Sequence, residues 1–357
     1  MPAAPELETL HYLGYDEDVG GIVSIVRALA ETGLFGVTLG LNRGAHQRRQ
    51  PALPVVEFSP LAGETISPGT WWRARQVARE VQVWLQGAPG RVFHGHSRAG
   101  LLVALALRAR GEARVVASVH AYGRQRWFYR AAARRLGARL FWLSPAMKAY
   151  YGVPGSDWTQ CIGGGVSERC FAVPRTAAEA PPWIIAGIGD RVRWKGWHRV
   201  LDALAALPEA ERAALRFEHI GGAGDPAYVA ELETRTRSAG LSDVVTWRGP
   251  QPDSAGLLAE AHALVVASDH EPFSMAMLEA MAAGVPVLAA AAGGAVDVVS
   301  PPRLGVLYSN SDDDGLAREL GRLARGEGVA RVSPDPAAVR RFAAPAVAEQ
   351  WQKVYRL

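Results

Sequence analysis

The sequence predicts an α/β protein built from two Rossmann-like, doubly wound domains. Short apolar strands alternate with helices along most of the chain, a pattern typical of parallel sheets covered by helices. The alternation restarts at Trp183, after a segment, 174–182, that contains three prolines. The length of 357 residues exceeds one ordinary core and suits two domains of about 150–200 residues each.

The first domain begins with an apolar strand within 7–13 and a loop, Gly14–Gly21. Apolar residues then recur at helical spacing from Ile22, which places Gly20 and Gly21 at a helix start. Further strands are predicted at Gly36–Gly40, Pro54–Phe58, Arg91–His94, Ala113–Val119 and Ala138–Leu143, and helices at Pro68–Gln86, Ala99–Arg110 and Arg126–Leu136.

The second domain repeats the alternation. Its strands are predicted at Trp183–Ile188, Arg216–Ile220, Val244–Trp247, Ala263–Ala267 and Val287–Ala291. Its helices are predicted at His198–Ala206, Tyr228–Ala239, Ala255–Ala261 and Phe273–Ala283. A last helix is predicted at Ala346–Tyr355, because Pro345 suits a helix start.

The stretch 268–294 carries the strongest chemical signal. Its helix follows a polar loop, so the amides of Ser274 and Met275 are expected to point at an anion. Glu271 precedes the helix and Glu279 lies about two turns into it, where both carboxylates can accept hydrogen bonds from hydroxyls. This combination of partners suits a sugar nucleotide.

The same stretch, EPFSMAMLEAMAAGVPVLA, resembles the signature of the retaining glycosyltransferases of the GT-B fold, family four or group 1. The resemblance implies two facing Rossmann-like domains, with a C-terminal helix that crosses back to the first. Residues 1–170 with 342–357 would form the acceptor domain, and residues 171–341 the nucleotide-sugar donor domain. It implies no cofactor, because the nucleotide sugar is a co-substrate, and no metal.

The resemblance assigns His120, Lys195 and Glu271 to catalysis. It assigns donor binding to Gly20, Gly21, Arg191, Lys195, Phe273, Ser274, Met275, Glu279, Trp247 and Gly249. It assigns acceptor binding to Asp18, His96, Arg98, Tyr122 and Arg124. The loop 189–197 matches the family's Gly-Arg and Lys-Gly pattern at Lys195-Gly196, but Gly189 or Asp190 occupies the arginine position, so Arg191 or Arg193 is expected to replace it.

The implied reaction retains the anomeric configuration. Glu279 would accept from ribose hydroxyls and Glu271 from the sugar's hydroxyls, while Lys195 stabilises charge on the departing phosphate. The acceptor is a hydroxyl of a glycan, a lipid-linked sugar or a small molecule.

Three other functions remain open. A GT-B nucleotide-sugar epimerase or hydrolase would use the same donor site, and a non-catalytic glycan- or lipid-binding module would bind without turnover. The motif GHSRAG, residues 95–100, is close to the nucleophile elbow of α/β-hydrolases and would make Ser97 a nucleophile. Asp157, His198 and His219 follow in the order that such a triad needs.

Charge is distributed unevenly along the chain. Residues 1–178 carry 21 Lys and Arg against 12 Asp and Glu, whereas residues 179–357 carry 18 against 23. The basic segment 124–139 predicts a peripheral contact with an anionic membrane, and no nucleic-acid partner is expected. No membrane span or signal peptide is predicted, so the expected location is the cytoplasm or the inner membrane face. Cys161 and Cys170 are predicted to remain thiols.

Overall fold

A computed structural model describes residues 7–18, 20–46, 52–61, 66–155, 157–299, 302–312 and 314–356. Val19, inside the predicted glycine-containing loop, lies outside these ranges. The chain divides into two compact units. Unit 1 comprises Met1–Gly165 and Phe342–Leu357, and unit 2 comprises Val166–Arg341.

Unit 1 contains a six-stranded parallel sheet with the order β3-β2-β1-β4-β5-β6. Its strands are β1 Glu8–Tyr12, β2 Gly36–Asn42, β3 Val55–Phe58, β4 Arg91–Gly95, β5 Val115–Val119 and β6 Leu140–Trp142. Its helices are α1 Gly21–Glu31, α2 Pro68–Gln86, α3 Arg98–Ala109, α4 Arg126–Leu136, α5 Pro145–Tyr150 and α13 Ala344–Tyr355.

Helices α3 and α13 cover the sheet and complete the core of unit 1. Helix α3 is apolar on all sides, and its residues 99–107 are all buried, as expected for a helix inside a packed layer. Helix α13 belongs to unit 1, as the resemblance predicted, and its Trp351 and Tyr355 pack against His94 of β4.

Unit 2 contains a second six-stranded parallel sheet with the order β12-β11-β10-β7-β8-β9. Its strands are β7 Trp183–Ile188, β8 Leu215–Ile220, β9 Val245–Trp247, β10 Ala263–Val266, β11 Val287–Ala290 and β12 Gly305–Tyr308. Its helices are α6 Trp197–Ala205, α7 Glu209–Ala213, α8 Pro226–Ser238, α9 Ala255–Glu260, α10 Met275–Ala282, α11 Ala295–Val298 and α12 Gly315–Ala324.

The predicted fold of two Rossmann-like sheets is confirmed. The predictions omitted strand β12 and helices α7, α11 and α12, and other differences concern element ends. Helix α10 begins at Met275 and not at Phe273, because Ser274 takes a backbone φ of 54° and caps the helix. Helix α13 begins at Ala344, so Pro345 lies in its first turn. The short helix α5 was also not predicted from the sequence.

Neither cysteine forms a disulfide bond, as predicted. Within the described residues, no helix combines the length and the apolar character that crossing a bilayer requires.

Candidate active site

The site in unit 2 is built around the start of α10. Ser274 caps this helix through its Oγ atom, which accepts a hydrogen bond from Met277 N at 3.4 Å. Its positive φ is uncommon for a residue other than glycine and is found preferentially at ligand-binding turns. The loop from Glu271 to Ser274 therefore leads into the helix with a sharply turned backbone.

Gly293 and Gly294 hold this loop in place from the end of β11. Gly294 N donates to Glu271 O at 2.8 Å. Gly293 has a φ of 57°, and a Cβ atom there would lie 2.2 Å from the Glu271 carbonyl oxygen. Only glycine permits this approach. The glycine pair thus fixes the backbone that carries the Glu271 carboxylate.

Glu271 is buried, and its carboxylate has two partners. Its Oε2 atom accepts from Lys195 Nζ at 2.7 Å and from Ser268 Oγ at 2.9 Å. The side chains of Lys195 and Glu271 are only 17% and 7% exposed. Two opposite charges removed from water need this kind of direct contact. The structure therefore brings together two of the three residues predicted to be catalytic.

The loop that carries Lys195 packs closely on the end of β10. Residues Arg193–Lys195 form one turn of 3₁₀ helix, and Gly196 follows with a φ of 74°. A Cβ atom at Gly196 would lie 2.0 Å from the carbonyl oxygen of Ala267. This contact explains the physical need for glycine directly after the lysine.

Glu279 lies on α10 and is half-buried. Its Oε2 atom accepts from Ser254 Oγ at 2.6 Å. Ser254 precedes α9. Glu271 and Glu279 are thus each held by a serine, and the sequence interpretation missed both Ser254 and Ser268. A serine three residues before Glu271 is a weak signal, whereas Ser254 comes from a separate loop.

Arg191 and Arg193 both contact α8. The Nη1 atom of Arg191 lies 3.5 Å from Glu233 Oε1, and its guanidinium lies 5.7 Å from the Trp247 ring centre. The Nε atom of Arg191 is buried and has no hydrogen-bond partner among the described residues. Arg193 pairs with Glu231. Replacement of the family's arginine by one of these two remains a prediction.

Trp247 and Gly249 lie at the end of β9. The Trp247 ring packs 5.0 Å from the His219 ring, and its Nε1 atom donates to Thr236 Oγ1 at 3.3 Å. The Trp247 side chain therefore packs within unit 2, and donor binding by Trp247 and Gly249 stays a prediction. Gly249 O accepts from Gly221 N at 3.0 Å.

A pocket of about 550 Å³ opens beside this segment. Arg248 projects into it and pairs with Glu218 and Glu260. The lining residues are Ile220, Arg248, Gln251, Pro252, Asp253, Gly256, Leu257 and Glu260. The pocket lies within unit 2.

The site in unit 1 lies at the carboxyl end of its sheet, where open α/β sheets bind ligands. Gly20 caps α1 with a φ of 96°, and a Cβ atom at Gly20 or Gly21 would meet no atom of the described residues within 4 Å. His120 follows β5 and is half-buried. The backbone of the two glycines is thus open to a ligand at the positive end of α1.

His120 belongs to a cluster of four histidines. His120 Nε2 lies 2.9 Å from His96 Nδ1, and His96 Nε2 lies 2.8 Å from His11 Nδ1. His94 stacks on His96 with ring centres 3.9 Å apart. Burial lowers the pKa values of His11 and His120 to about 3 and those of His94 and His96 well below 6.5. All four rings are therefore neutral near pH 7.

In the described part of the chain, His11, His94 and His96 form the one group of three side chains whose nitrogens are close enough to share a metal ion, within 4.8 Å. Each ring nitrogen already has a hydrogen-bond partner: Thr9, Ser118 and Tyr355 complete the set. We assign these three rings to hydrogen bonding.

The structure places two of the predicted acceptor residues in the interior of unit 1. Asp18 is fully buried, and its Oδ2 atom pairs with Arg27 Nη2 at 2.7 Å. His96 is only 2% exposed and uses both ring nitrogens within the cluster. Neither side chain presents a polar atom at the surface. Contact of either residue with an acceptor stays a prediction.

The remaining predicted acceptor residues lie nearer the surface. Tyr122 packs edge-on against Tyr150 with ring centres 4.7 Å apart. Arg98 Nε donates to Tyr129 OH at 3.2 Å. Arg124 is exposed. Their contact with an acceptor stays a prediction.

Ser97 is a helix cap and not a nucleophile. Its hydroxyl donates to Leu13 O and accepts from Gly100 N at 3.0 Å. Across the described ranges, no histidine hydrogen-bonds Ser97, although an activated serine needs such a base. The strand-turn-helix resemblance to a nucleophile elbow arises from ordinary capping of α3.

The two Rossmann-like units define the class of protein as the GT-B fold. The Anabaena protein Alr3699/HepE in complex with UDP matches with a TM-score of 0.77 and 19% identity, over 98% of this chain and 99% of that chain. Sucrose-phosphate synthase from Thermosynechococcus elongatus matches with a TM-score of 0.73 and 20% identity, over 98% of each chain. At these identities the likeness concerns the fold.

Sequence comparisons match part of the chain, mainly unit 2. Residues 173–334 match the family model described as glycosyl transferases group 1. The D-inositol 3-phosphate glycosyltransferase of Corynebacterium kroppenstedtii is 31% identical over 176 residues, 47% of this chain and 38% of that protein. The lipopolysaccharide core biosynthesis glycosyltransferase LpsE of Rhizobium meliloti is 30% identical over 156 residues, 43% of each. The matches span less than half of these relatives. The predicted resemblance to the group 1 glycosyltransferases of the GT-B fold is confirmed.

Proposed function

We propose that this chain is a retaining glycosyltransferase that moves a sugar from a nucleotide-diphosphate sugar to an acceptor hydroxyl. The observation that carries the proposal is the 2.7 Å contact between Lys195 Nζ and Glu271 Oε2 beside the start of α10. The site offers partners for both the diphosphate and the hydroxyls of such a donor. The cation and the amides at the helix N-terminus bind the diphosphate, and the two carboxylates accept hydrogen bonds from the hydroxyls.

Each residue then has a defined task. Lys195 shares its ammonium between Glu271 and the diphosphate, with the amides of Ser274 and Met275 as neutral donors. Glu271 accepts from hydroxyls of the transferred sugar, and Glu279 accepts from the ribose. The serines that bond these carboxylates hold them in place before the donor arrives.

The chemistry needs no protein nucleophile. The bond between the anomeric carbon and the phosphate oxygen breaks, and a bond to the acceptor oxygen forms on the same face. The acceptor's proton passes to the leaving diphosphate, so charge and atoms balance. Lys195 and the helix amides stabilise the charge that grows on the leaving group, where electrostatic stabilisation acts most strongly. We propose that this occurs without a metal.

Uridine nucleotides are the first donors to test. The matching Anabaena structures contain UDP, UDP with glucose, and UDP-glucose. The proposal applies this donor class to the present chain because the fold is the same and its unit 2 carries the predicted phosphate and hydroxyl partners.

The decisive experiment measures both binding and product. Calorimetry with nucleoside diphosphates is followed by incubation with nucleotide sugars and a panel of hydroxyl acceptors, with NMR assignment of the new anomeric bond. Retention of configuration, with activity unchanged by EDTA, is expected. Formation of a new nucleotide sugar in the absence of any acceptor would favour the epimerase alternative. An inverted product would contradict the retaining mechanism.

A second candidate function is peripheral binding of anionic membranes through α4. Trp127 is 61% exposed on this helix. Arg126 lies 4.7 Å from the Tyr150 ring, and Arg130 donates to Tyr151 O. Arg134 and Arg135 are exposed in the last turn. An exposed indole within a basic surface suits the headgroup region.

Vesicle flotation tests this surface. Arg134→Glu with Arg135→Glu is expected to reduce binding to phosphatidylglycerol vesicles at low salt. Arg237→Glu with Arg303→Glu changes the charge equally at exposed positions of unit 2 and serves as the matched control. Equal binding to neutral and anionic vesicles would exclude the membrane contact.

A further inference from the structure

A continuous chain of hydrogen bonds runs through unit 1 to His120. Thr9 Oγ1 lies 2.9 Å from His11 Nε2. His11 Nδ1 lies 2.8 Å from His96 Nε2, and His96 Nδ1 lies 2.9 Å from His120 Nε2. Thr9, His11 and His96 are buried. Four side chains from three neighbouring strands and their ends are thus linked in series.

The donor-to-acceptor direction of this series of hydrogen bonds is set at Thr9, its buried end. Thr9 Oγ1 also lies 2.9 Å from the carbonyl oxygen of Gly36, to which it donates. A hydroxyl has one hydrogen, and a carbonyl oxygen can only accept. Once Thr9 has donated to Gly36, its oxygen can only accept from His11. His11 therefore carries its proton on Nε2.

The same donor-to-acceptor direction applies to each hydrogen bond between the histidine rings. Burial keeps the pKa values of His11, His96 and His120 far below 7, and a neutral imidazole has one donor and one acceptor nitrogen. Because His11 donates from Nε2, its Nδ1 accepts from His96 Nε2. His96 Nδ1 then accepts from His120 Nε2. The proton of His120 consequently lies on Nε2.

His94 takes no part in this series of hydrogen bonds. Its Nδ1 atom lies 2.6 Å from Tyr355 OH, and its Nε2 atom lies 2.7 Å from Ser118 Oγ. Both nitrogens are used, so His94 contacts the series by ring packing against His96 and His11 and not by a hydrogen bond. The series has one path, from Gly36 to His120.

We propose that Thr9, His11 and His96 are positioning residues that hold His120 as the Nε2-protonated tautomer. The Nδ1 atom of His120 is then a lone-pair acceptor, and no side chain among the described residues hydrogen-bonds it. The group that His120 meets must donate, so it is a sugar hydroxyl and not a phosphate or carboxylate oxygen. The identity of that ligand rests on the proposed function, whereas the tautomer does not.

The tautomer can be observed directly in the full-length chain. Long-range ¹H–¹⁵N correlation spectra of protein labelled with ¹⁵N-histidine distinguish a protonated Nε2 from a protonated Nδ1. The His120→Asn variant assigns the His120 signals by their disappearance. We expect His11, His96 and His120 to be neutral with the proton on Nε2. A His120 ring protonated on Nδ1, or on both nitrogens at pH 7, would overturn the proposal.

Variants at Thr9 test the origin of the direction. Thr9→Val removes the oxygen, so the series can reverse and His120 is expected to show both tautomers. Thr9→Ser keeps the oxygen and is the matched control. A His120 spectrum that is identical in Thr9→Val and wild type would exclude Thr9 as the anchor. If Thr9→Val does not fold, the wild-type spectrum still decides the tautomer.

Turnover separates this inference from the proposed function. With an active nucleotide sugar, Thr9→Val is expected to lower kcat/KM by about tenfold, the effect of one misdirected hydrogen bond. Affinity for the nucleoside diphosphate, which lacks the sugar, should be unchanged. If the protein transfers sugar while its His120 is protonated on Nδ1, this inference alone is refuted. If His120 shows the expected tautomer but the protein has no transferase activity, the proposed function alone is refuted.

Discussion

Lys195 Nζ and Glu271 Oε2 lie 2.7 Å apart, and both side chains are largely buried. The lysine comes from the loop after β7 and the glutamate from the loop before α10, so the contact joins two loops at the carboxyl edge of one sheet. Each charge stabilises the other in the absence of a donor. The pair also leaves the ammonium close to the helix start, where a diphosphate is proposed to bind.

Removing one partner should cost more than removing both. Lys195→Met leaves the Glu271 carboxylate buried without its cation, and the free energy of unfolding should fall by about 3 kcal/mol. The double variant Lys195→Met with Glu271→Gln should recover part of this loss. Urea denaturation of the two single variants and the double variant measures the coupling. Strict additivity would show that the contact is absent in solution.

Gly293→Ala should destabilise the loop that carries Glu271. The new Cβ atom would lie 2.2 Å from the Glu271 carbonyl oxygen, in addition to the cost of a positive φ. Gly284 has a φ of 73°, and in the described part of the chain no atom lies within 4 Å of its Cβ position. Gly284→Ala therefore isolates the cost of the backbone conformation, about 1–2 kcal/mol. Thermal unfolding of both variants should show the larger loss for Gly293→Ala. Equal losses would rule out the close approach.

The buried histidines predict loss of stability in mild acid. Burial holds the pKa of His11 at about 3 and those of His94 and His96 well below 6.5. Below pH 6.5 the unfolded chain binds protons that the folded chain does not, so the free energy of unfolding falls. The stabilisation is complete above pH 6.5, and the part from His11 is lost between pH 6.5 and about 3, at up to about 1.4 kcal/mol per pH unit. His94 and His96 change the stability in the same direction.

Urea denaturation at pH 7.5, 6.5 and 5.5 measures this effect. Ordinary carboxylates titrate near pH 4, so a decrease between 6.5 and 5.5 reports histidine protonation. A free energy of unfolding that stays constant across this range would mean that the cluster is open to protons in the folded state.

Much of unit 2 was predictable because most residues of its candidate site lie close together in the sequence. The glutamates, the helix start and the following glycines all lie within 268–294, so their spacing alone predicts the geometry of the helix and strand. Lys195 is remote in sequence, but its Lys-Gly pair matches a loop of the family. The structure adds the direct contact with Glu271, which spacing does not encode.

The histidine series was not predictable in the same way. Thr9 and His11 were treated as part of an apolar strand, and His96 was assigned to the acceptor. Residues two apart on one strand share a face, so Thr9 with His11 and His94 with His96 carried a weak signal. Their pairing depends on β1 lying between β2 and β4, a strand order that no local motif specifies.

The hydroxyl of Tyr355 should stabilise the folded chain through His94. Tyr355 OH lies 2.6 Å from the buried His94 Nδ1, so Tyr355→Phe leaves that nitrogen without a partner and should cost about 1–3 kcal/mol. Tyr308 is also buried, but its hydroxyl has no hydrogen-bond partner among the described residues. Tyr308→Phe should therefore be neutral or stabilising. Because His94 lies outside the series from Thr9 to His120, kcat/KM should be unchanged in Tyr355→Phe. Urea unfolding curves of both variants measure the contribution of the Tyr355 hydroxyl to stability. Equal shifts for Tyr355→Phe and Tyr308→Phe would show that the contact with His94 contributes nothing.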